Sequence, residues 1–426
     1  MKKLPKSQIE FELVVSPKEV EKYFDQAAKH LSKHVNIKGF RKGSLVPIDI
    51  LEKYIGKQAI FQEAGELAVD EKYKEFIKKE NIFPVEHPKL ELKKMAEGNP
   101  IEVLVTVAVF PEVKLPDYKK ISEKAAKKRK KDVKVEEKDV KEALEHLRAS
   151  RRKEQAVERE AKKGDIAEVD FELRVNGVKV EGGDSKNHPV VLGEGKFIPG
   201  FEDNIEGMKK GEVKEFSVNA PKDYFKKDLA GKKIDFKVTL NRVLEIQLPN
   251  LDDEFAQSLG NFKNLAELEE NLKKSLELEK KQKEKETFLD SLIGEIVSGS
   301  EIELPEVMIK NEQEKIINEM KSNIEQHGLS FDMYLANLKK TIDEIKEGVK
   351  EQAEKRVKSV LVLEEIAKQE DIKPTDEEVT EKTNQVILQY KSQGAETENI
   401  NPEQLKAYSK MVLTNEKTLD FLENNK

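Results

Sequence analysis

The chain begins with an alternating stretch. Ile9, Phe11, Leu13 and Val15 are interleaved with Glu10 and Glu12, the period-two pattern of a strand with one buried face. Ser16-Pro17 then opens a helix, because proline suits the first turn, where its missing N–H is not needed. Val20, Tyr23, Phe24, Ala27, Ala28 and Leu31 follow at helical spacing. A loop is predicted from about Asn36 to Pro47, a second helical region to about Glu80, and strands near Lys89 to Met95 and Ile101 to Phe110. Together these read as a compact α+β domain ending near Pro116. Val140, Leu144 and Leu147 mark an amphipathic helix to about Lys153. Between Gly164 and about Leu244 the pattern becomes strand-like. Ala167 to Val175 and Val178 to Glu181 flank Asn176-Gly177, a strong hairpin signal, and further strands are expected over Val213 to Val218 and Lys233 to Val243. From Leu251 onward the spacing is helical almost throughout. Phe262 to Val297, Glu306 to Gln326 and Phe331 to Gln369 are predicted helical, the last being the longest stretch. Breaks fall at Gly328, Pro374, Gly394 and Pro402. The heptad is not strict, which favours packed helical arms over one coiled coil.

The length of 426 residues suggests two to four domains. Charged residues make up 38% of the chain, which fits long helices lying along solvent. With a formal net charge of -7, the chain as a whole does not suit nucleic acid, so any RNA contact must come from a local basic patch. The absence of cysteine excludes disulfides, thiolate nucleophiles and Cys-ligated zinc. The 6 histidines are dispersed and no HExxH occurs, and no GxxxxGK[ST] phosphate loop is present. No metal and no other cofactor is therefore expected. Met1 to Gln8 has lysines but no apolar run behind it, so no secretory signal is expected, and nothing approaches the ~20 apolar residues of a membrane span. The expected location is the cytoplasm.

Against this acidic background one segment stands out. No carboxylate occurs between Asp25 and Asp49, while Lys29, Lys33, Lys38, Arg41, Lys42, His30 and His34 do. The segment centres on Gly39-Phe40-Arg41-Lys42-Gly43-Ser44-Leu45-Val46-Pro47. The glycines permit tight backbone geometry. Phe40 offers an apolar anchor, or else tucks into its own domain. Arg41 can make bidentate contacts to carboxylate or phosphate, and Lys42 adds a point charge. A second basic run, Lys127-Lys128-Arg129-Lys130-Lys131, reads as a solvated linker, with RNA contact as the sharper alternative.

The Gly39 to Pro47 stretch resembles the ribosome-binding signature of the trigger-factor family, Gly-Phe-Arg-x-Gly-x-x-Pro. That resemblance implies docking at the large ribosomal subunit, on proteins and RNA beside the exit tunnel, through Gly39, Phe40, Arg41, Lys42, Gly43 and Pro47. Ala167 to Leu244 resembles the FKBP-type prolyl-isomerase domain of the same family, most clearly at Gly193-Glu194-Gly195-Lys196-Phe197-Ile198-Pro199-Gly200-Phe201-Glu202. It implies a cleft built from Phe171, Phe197, Ile198, Phe201, Tyr224 and Phe236, with Glu181 at the family's acidic position. Prolyl isomerisation needs no triad. The barrier of ~18–20 kcal/mol is amide resonance, and a dry aromatic cleft lowers it by binding the twisted amide better than the planar one. Val180, His188 and Ala220 stand where the family usually has phenylalanine, which implies a shallower, more polar cleft. Phe171 and Phe236 also suit plain core positions, and His188, beside Pro189, reads as a loop residue.

The region from about Ile246 resembles the family's helical substrate-binding domain in length and position. Met308, Met320, Met333, Leu335, Tyr390, Met411 and Phe421 are candidates to contact unfolded clients, though each taken singly reads better as a helical-core residue, so none is assigned as a client contact. The expected division is a ribosome-binding domain over 1–115, a basic linker and connector helix over 116–160, an isomerase domain over 161–245 and a helical chaperone domain over 246–426. The fold class is α+β multidomain: an α+β first domain, a small antiparallel β domain and an all-α C-terminal domain with arms. The connector helix is expected to pack on C-terminal helices. The resemblance implies an ATP-independent chaperone of nascent polypeptides, monomeric on the ribosome and weakly dimeric in solution, with accessory isomerase activity. A free prolyl isomerase and a non-enzymatic helical scaffold are the rival readings.

Overall fold

The structure, a computed structural model, describes residues 1–37, 40, 46–129, 133–224, 226, 229–392 and 401–424, except for the side chains of Glu181, Gln389, Tyr390 and Ser392. Most of the docking stretch, namely Lys38, Gly39 and Arg41 to Leu45, lies outside the described residues, as do Lys130 and Lys131.

The first domain runs through β1 (Lys2–Leu4), β2 (Gln8–Val15), α1 (Pro17–Glu21), α2 (Phe24–His34), α3 (Ile48–Ile55), α4 (Lys57–Lys79), β3 (Lys89–Lys94) and β4 (Ile101–Ala108). Its strands form a four-stranded antiparallel sheet in the order β1-β2-β4-β3. The alternation read from sequence is the burial pattern observed: Ile9, Phe11, Leu13 and Val15 are buried under the helices, and Phe11 stacks on Phe76 of α4 at 4.2 Å. The helix expected after Pro17 is interrupted at Lys22 and Tyr23, whose N–H groups reach back only to Glu19 and Val20, the tighter three-residue spacing that ends an α-helix. Glu19 ties this corner together. It accepts from the N–H and Oγ of Ser16 and from Lys72 Nζ at 2.5 Å. The Lys72 ammonium, with the Ser16 donors, lowers its pKa to about 2.

The chain continues through β5 (Val113–Lys114), α5 (Tyr118–Lys128), α6 (Glu137–Ser150), β6 (Lys153–Val157), β7 (Ile166–Val175), β8 (Val178–Val191), α7 (Phe201–Ile205), β9 (Val213–Asn219), β10 (Lys233–Gln247), α8 (Asp253–Leu259) and α9 (Leu265–Gly299). It ends in β11 (Glu301–Ile302), α10 (Glu306–Gln326), α11 (Phe331–Leu338), α12 (Ile342–Gly348), α13 (Lys350–Gln369), α14 (Asp376–Ser392) and α15 (Pro402–Asn424). Two compact units result. One holds Met1–Arg129 with Glu286–Lys426, and the other holds Lys130–Lys285. Residues 246–285, which the sequence reading places with the C-terminal helices, belong by contact to the second unit.

Within the first unit the early chain is tied to the late chain. β5 pairs with β11, and Tyr118 of α5 donates to Glu370 at 2.5 Å. Burial and that carboxylate push the Tyr118 hydroxyl up to about 12. Tyr118 is buried with Leu292, Ile296, Val362, Ile366 and Leu422, with Ile121 and Ala125 packed alongside. The helical stretch predicted over Phe331 to Gln369 is made of three helices: it breaks at Lys339, which adopts a left-handed backbone (φ 52), and restarts at Thr341, capped by Glu344. The longest helix is α9, at 35 residues.

In the second unit β10 is the spine of a five-stranded antiparallel sheet, paired with β7 on one side and with β9 and β6 on the other. The connector helix α6 buries Leu144 with Phe255, Ala256 and Leu268, and its Asp139 accepts from Lys280 at 2.5 Å. The expected packing of this helix is thus made with α8 and the first part of α9. Among the described residues no helix is long and apolar enough to cross a membrane.

Candidate functional site

The second unit brings six aromatic rings together. β7 and β10 place Phe171 opposite Val238 and Leu173 opposite Phe236, while α7 starts on Phe201 after the left-handed Gly200 (φ 89). Phe201 is 0% exposed and is the floor. It stacks on Phe197 at 4.6 Å and meets Phe236 at 4.7 Å and Phe171 at 6.0 Å. Phe171 and Phe197 are half-buried and stand edge to face at 6.0 Å. Ile198 and Phe236 are buried, and the half-buried Tyr224 packs against the same core. Burial pushes the Tyr224 hydroxyl up. Of the residues implied by resemblance, Phe171, Phe197 and Tyr224 are therefore partly exposed, whereas Ile198, Phe201 and Phe236 are buried in the same cluster. The side chain of Glu181 lies outside the described residues.

Two further rings join this cluster: His188, which the resemblance puts at a cleft position and its neighbour Pro189 suggests lies in a loop, and Phe216, which the sequence reading does not assign to it. His188 is not in a loop. It lies in β8 opposite Val169, with its ring 5.6 Å from Phe171 and 5.5 Å from Phe197. Pro189 misled that reading: β8 is an edge strand, and an edge tolerates a residue with no N–H to donate. Its imidazole stands edge-on to both phenylalanine rings. Phe216 sits opposite Phe236 in the β9–β10 ladder, with ring centroids 5.8 Å apart, and the alternation of Phe216 with Val218 was its sequence signal.

The rim is held by a carboxylate. Glu202 is buried and accepts from the backbone N–H of Gly193 at 2.8 Å, Gly195 at 3.0 Å and Phe197 at 3.2 Å. Burial alone would raise its pKa, but these N–H groups hold it below the ordinary carboxylate value. The loop that carries Phe197 is thus fixed by direct hydrogen bonds to the carboxylate of Glu202 in α7. Replacing Glu202 with glutamine removes the charge and leaves N–H groups short of an acceptor, at an expected cost of about 1–3 kcal/mol. The sign with pH follows from the depressed value: the contribution is complete above the ordinary 4.5 and is lost as pH falls through the folded pKa. Glu202→Gln should therefore lose stability at neutral pH and show a shallower acid limb. Amide exchange at Gly195 and Phe197 checks the local part of the effect.

In the first domain, the stem of the basic stretch is well defined. Ser32 is buried, donates to the Ala28 carbonyl at 2.6 Å and accepts from the Val46 N–H at 3.3 Å. Ile37 and Val46 are buried beside it. Phe40 is half-buried and packs against the domain core, so its ring is shared between anchor and exposed surface. Pro47 is exposed and caps α3, accepting from Ile50 and Leu51. Lys29, His30, Lys33 and His34 are all exposed at the end of α2, where cations also suit the helix dipole. Glu63 of α4 reaches His30 at 2.6 Å, a carboxylate that the linear sequence does not place there.

The second basic run is not one solvated tract. Lys127 and Lys128 end α5, and Arg129 turns inward, 8% exposed at its side chain, to meet Glu423 at 2.6 Å. Its guanidinium lies 4.4 Å from the centre of the Phe288 ring. Among the client-contact candidates, Met333 and Met411 are exposed, while Met308, Met320, Leu335 and Phe421 are half-buried against helical cores. The side chain of Tyr390 lies outside the described residues. Leu329, Leu338 and Ile342 are exposed on the same helical arm as Met333. No group of three or more metal-ligating side chains occurs among the described residues.

Residues 1–147 match the family model "Bacterial trigger factor protein (TF)", residues 157–247 match "FKBP-type peptidyl-prolyl cis-trans isomerase", and residues 264–424 match "Bacterial trigger factor protein (TF) C-terminus". Trigger factor of Clostridium botulinum is 34% identical over 423 residues, 99% of this chain and 97% of that protein. Trigger factor of Carboxydothermus hydrogenoformans is 37% identical over 425 residues, again 99% and 97%. A solved chain, from work on "Promiscuous Substrate Recognition in Folding and Assembly Activities of the Trigger Factor Chaperone", aligns over 100% of this chain and 98% of its own at 24% identity, with a TM-score of 0.45.

Proposed function

Because the chain belongs to the trigger factor family, we propose that it is an ATP-independent chaperone that docks beside the ribosomal exit tunnel and shields emerging polypeptides. Accessory isomerisation of X-Pro bonds belongs to the same reading, as does work in the cytoplasm on unfolded clients, as a monomer on the ribosome and a weak dimer in solution. The observation that carries the chaperone part is the exposure of Leu329, Met333, Leu338 and Ile342 on a charged helical arm. Large apolar side chains kept in water on a soluble scaffold suit transient contact with many sequences, and no nucleotide chemistry is needed for it. Docking is assigned to Phe40, Arg41 and Lys42, with Gly39, Gly43 and Pro47 shaping the loop. The exposed cations of α2 add a field that favours an anionic surface.

Isomerisation is assigned to the rim of Phe171, His188, Phe197 and Tyr224 over the floor of Phe201 and Phe236. A proline ring fits an apolar basin, and the partly polar rim admits the carbonyl that twists out of conjugation. No proton transfer is required of His188.

Both parts are tested on the purified chain. Diluting a denatured, aggregation-prone client into buffer without ATP should give less light scattering when the protein is present, and undiminished scattering would overturn the chaperone reading. In proline-limited refolding of a small client, Phe197→Ala should lower kcat/KM about ten-fold, equivalent to roughly 1.4 kcal/mol of transition-state binding. An unchanged rate would remove the rim from the mechanism.

A further inference from the structure

The sheet of the first domain is left uncovered at its β3 edge. The ladder places Leu90 opposite Val105 and Leu92 opposite Val103, so the leucines share the face on which both valines are buried. Yet Leu90 is 51% and Leu92 55% exposed. Between them and α4 lies a groove of about 860 Å³ whose walls include Phe61, Val69, Met95 and Ile101. Gly65 of α4 lets Met95 close in, since a Cβ there would stand 2.6 Å from Met95 Cε. β3 is also the last strand of its sheet, with no described strand on its outer side. Such an edge presents unpaired N–H and C=O groups. Open side-chain slots beside a free main-chain edge are what an added strand requires.

The charges narrow the occupant. Among the described residues, Glu66 and Glu97 line the groove and no lysine or arginine does. Glu97 is paired with Lys57, which leaves the Glu66 carboxylate to disfavour carboxylates entering it. A second copy of the same edge is disfavoured too: antiparallel self-pairing would bring Lys89 of one copy against Lys93 or Lys94 of the other, and like charges opposite each other destabilise a strand pair.

We propose that this groove is a peptide-binding site that takes an extended, unfolded segment as a strand added to β3, with large apolar side chains at alternate positions and no carboxylate among them. The inference rests on the chaperone reading only in naming an unfolded client as the source of that segment. It does not depend on ribosome docking.

The test uses the full chain and a fluorescein-labelled peptide with leucine and valine at alternate positions, separated by threonine and glutamine, so that no like charge is set against Lys89 or Lys93. Anisotropy should report binding, weakened roughly ten-fold or more in Leu90→Ser/Leu92→Ser, as expected when two apolar contacts are removed. Both positions are exposed, so an unchanged melting temperature is expected. On the wild type, the same peptide methylated at alternate backbone nitrogens should also bind roughly ten-fold or more weakly, because strand addition needs those N–H groups. Equal binding by the serine variant, or by the methylated peptide, overturns the proposal. Concentration-dependent self-association that the serine substitutions abolish, without peptide binding, overturns it in favour of a second copy. Client aggregation is followed in parallel. If the wild type still suppresses aggregation while peptide binding ignores the substitutions, the groove alone falls. If the wild type suppresses none, the chaperone reading falls.

Discussion

Replacing Phe201 with alanine should destabilise the isomerase unit by about 3–5 kcal/mol, the range for deleting a buried phenylalanine from a packed core. The ring has no exposure and touches four others: Phe171, Phe197, Phe216 and Phe236. Its loss would leave a cavity whose neighbours are pinned by the β7–β10 and β9–β10 ladders, so little collapse is available to offset the cost. Phe201→Leu keeps part of the volume and should cost less. Hydrogen exchange of the β7 and β10 amides reads the change within this unit, and helical amides of the other unit serve as a control. Protection in β7 and β10 that is unchanged by Phe201→Ala would mean that the ring cluster is not the core described here.

Replacing Arg129 with alanine should destabilise the other unit by about 3 kcal/mol. Removing one partner of a mostly buried ion pair costs about 3–5 kcal/mol, because the remaining charge stays desolvated, and Glu423 keeps 16% exposure at its side chain, which favours the lower end. The stacking of the guanidinium on Phe288 is lost as well. Arg129→Met/Glu423→Met should recover most of the loss, since it removes both charges and keeps apolar volume. The interaction term of that double-mutant cycle distinguishes an ion pair from simple packing. A solvated linker arginine would instead give a change near zero.

Arg129 shows where one sequence stops being informative. Flanked by lysines on both sides, it has no local mark that distinguishes it from them. Only the return of α15, almost three hundred residues later, supplies Glu423. Glu202 is similar, because its partners are backbone N–H groups, which any sequence possesses. By contrast, Ile9 to Val15 was legible because a sheet with one buried face imposes a strict period of two. The aromatic cleft was legible in part through resemblance, and His188 was misplaced because a neighbouring proline suggests a turn unless the strand is known to be an edge. Leu90 and Leu92 were legible as strand residues. That no described helix covers them is a property of where α4 lies, which the alternation does not encode.

The most direct measurement is cosedimentation with bacterial ribosomes across a salt series, comparing the wild type with Phe40→Ala/Arg41→Ala/Lys42→Ala. The wild type should pellet with ribosomes, binding should weaken as salt rises, and the triple variant should stay in the supernatant while keeping its melting temperature. Equal pelleting of both proteins, or of neither, would contradict docking through this loop.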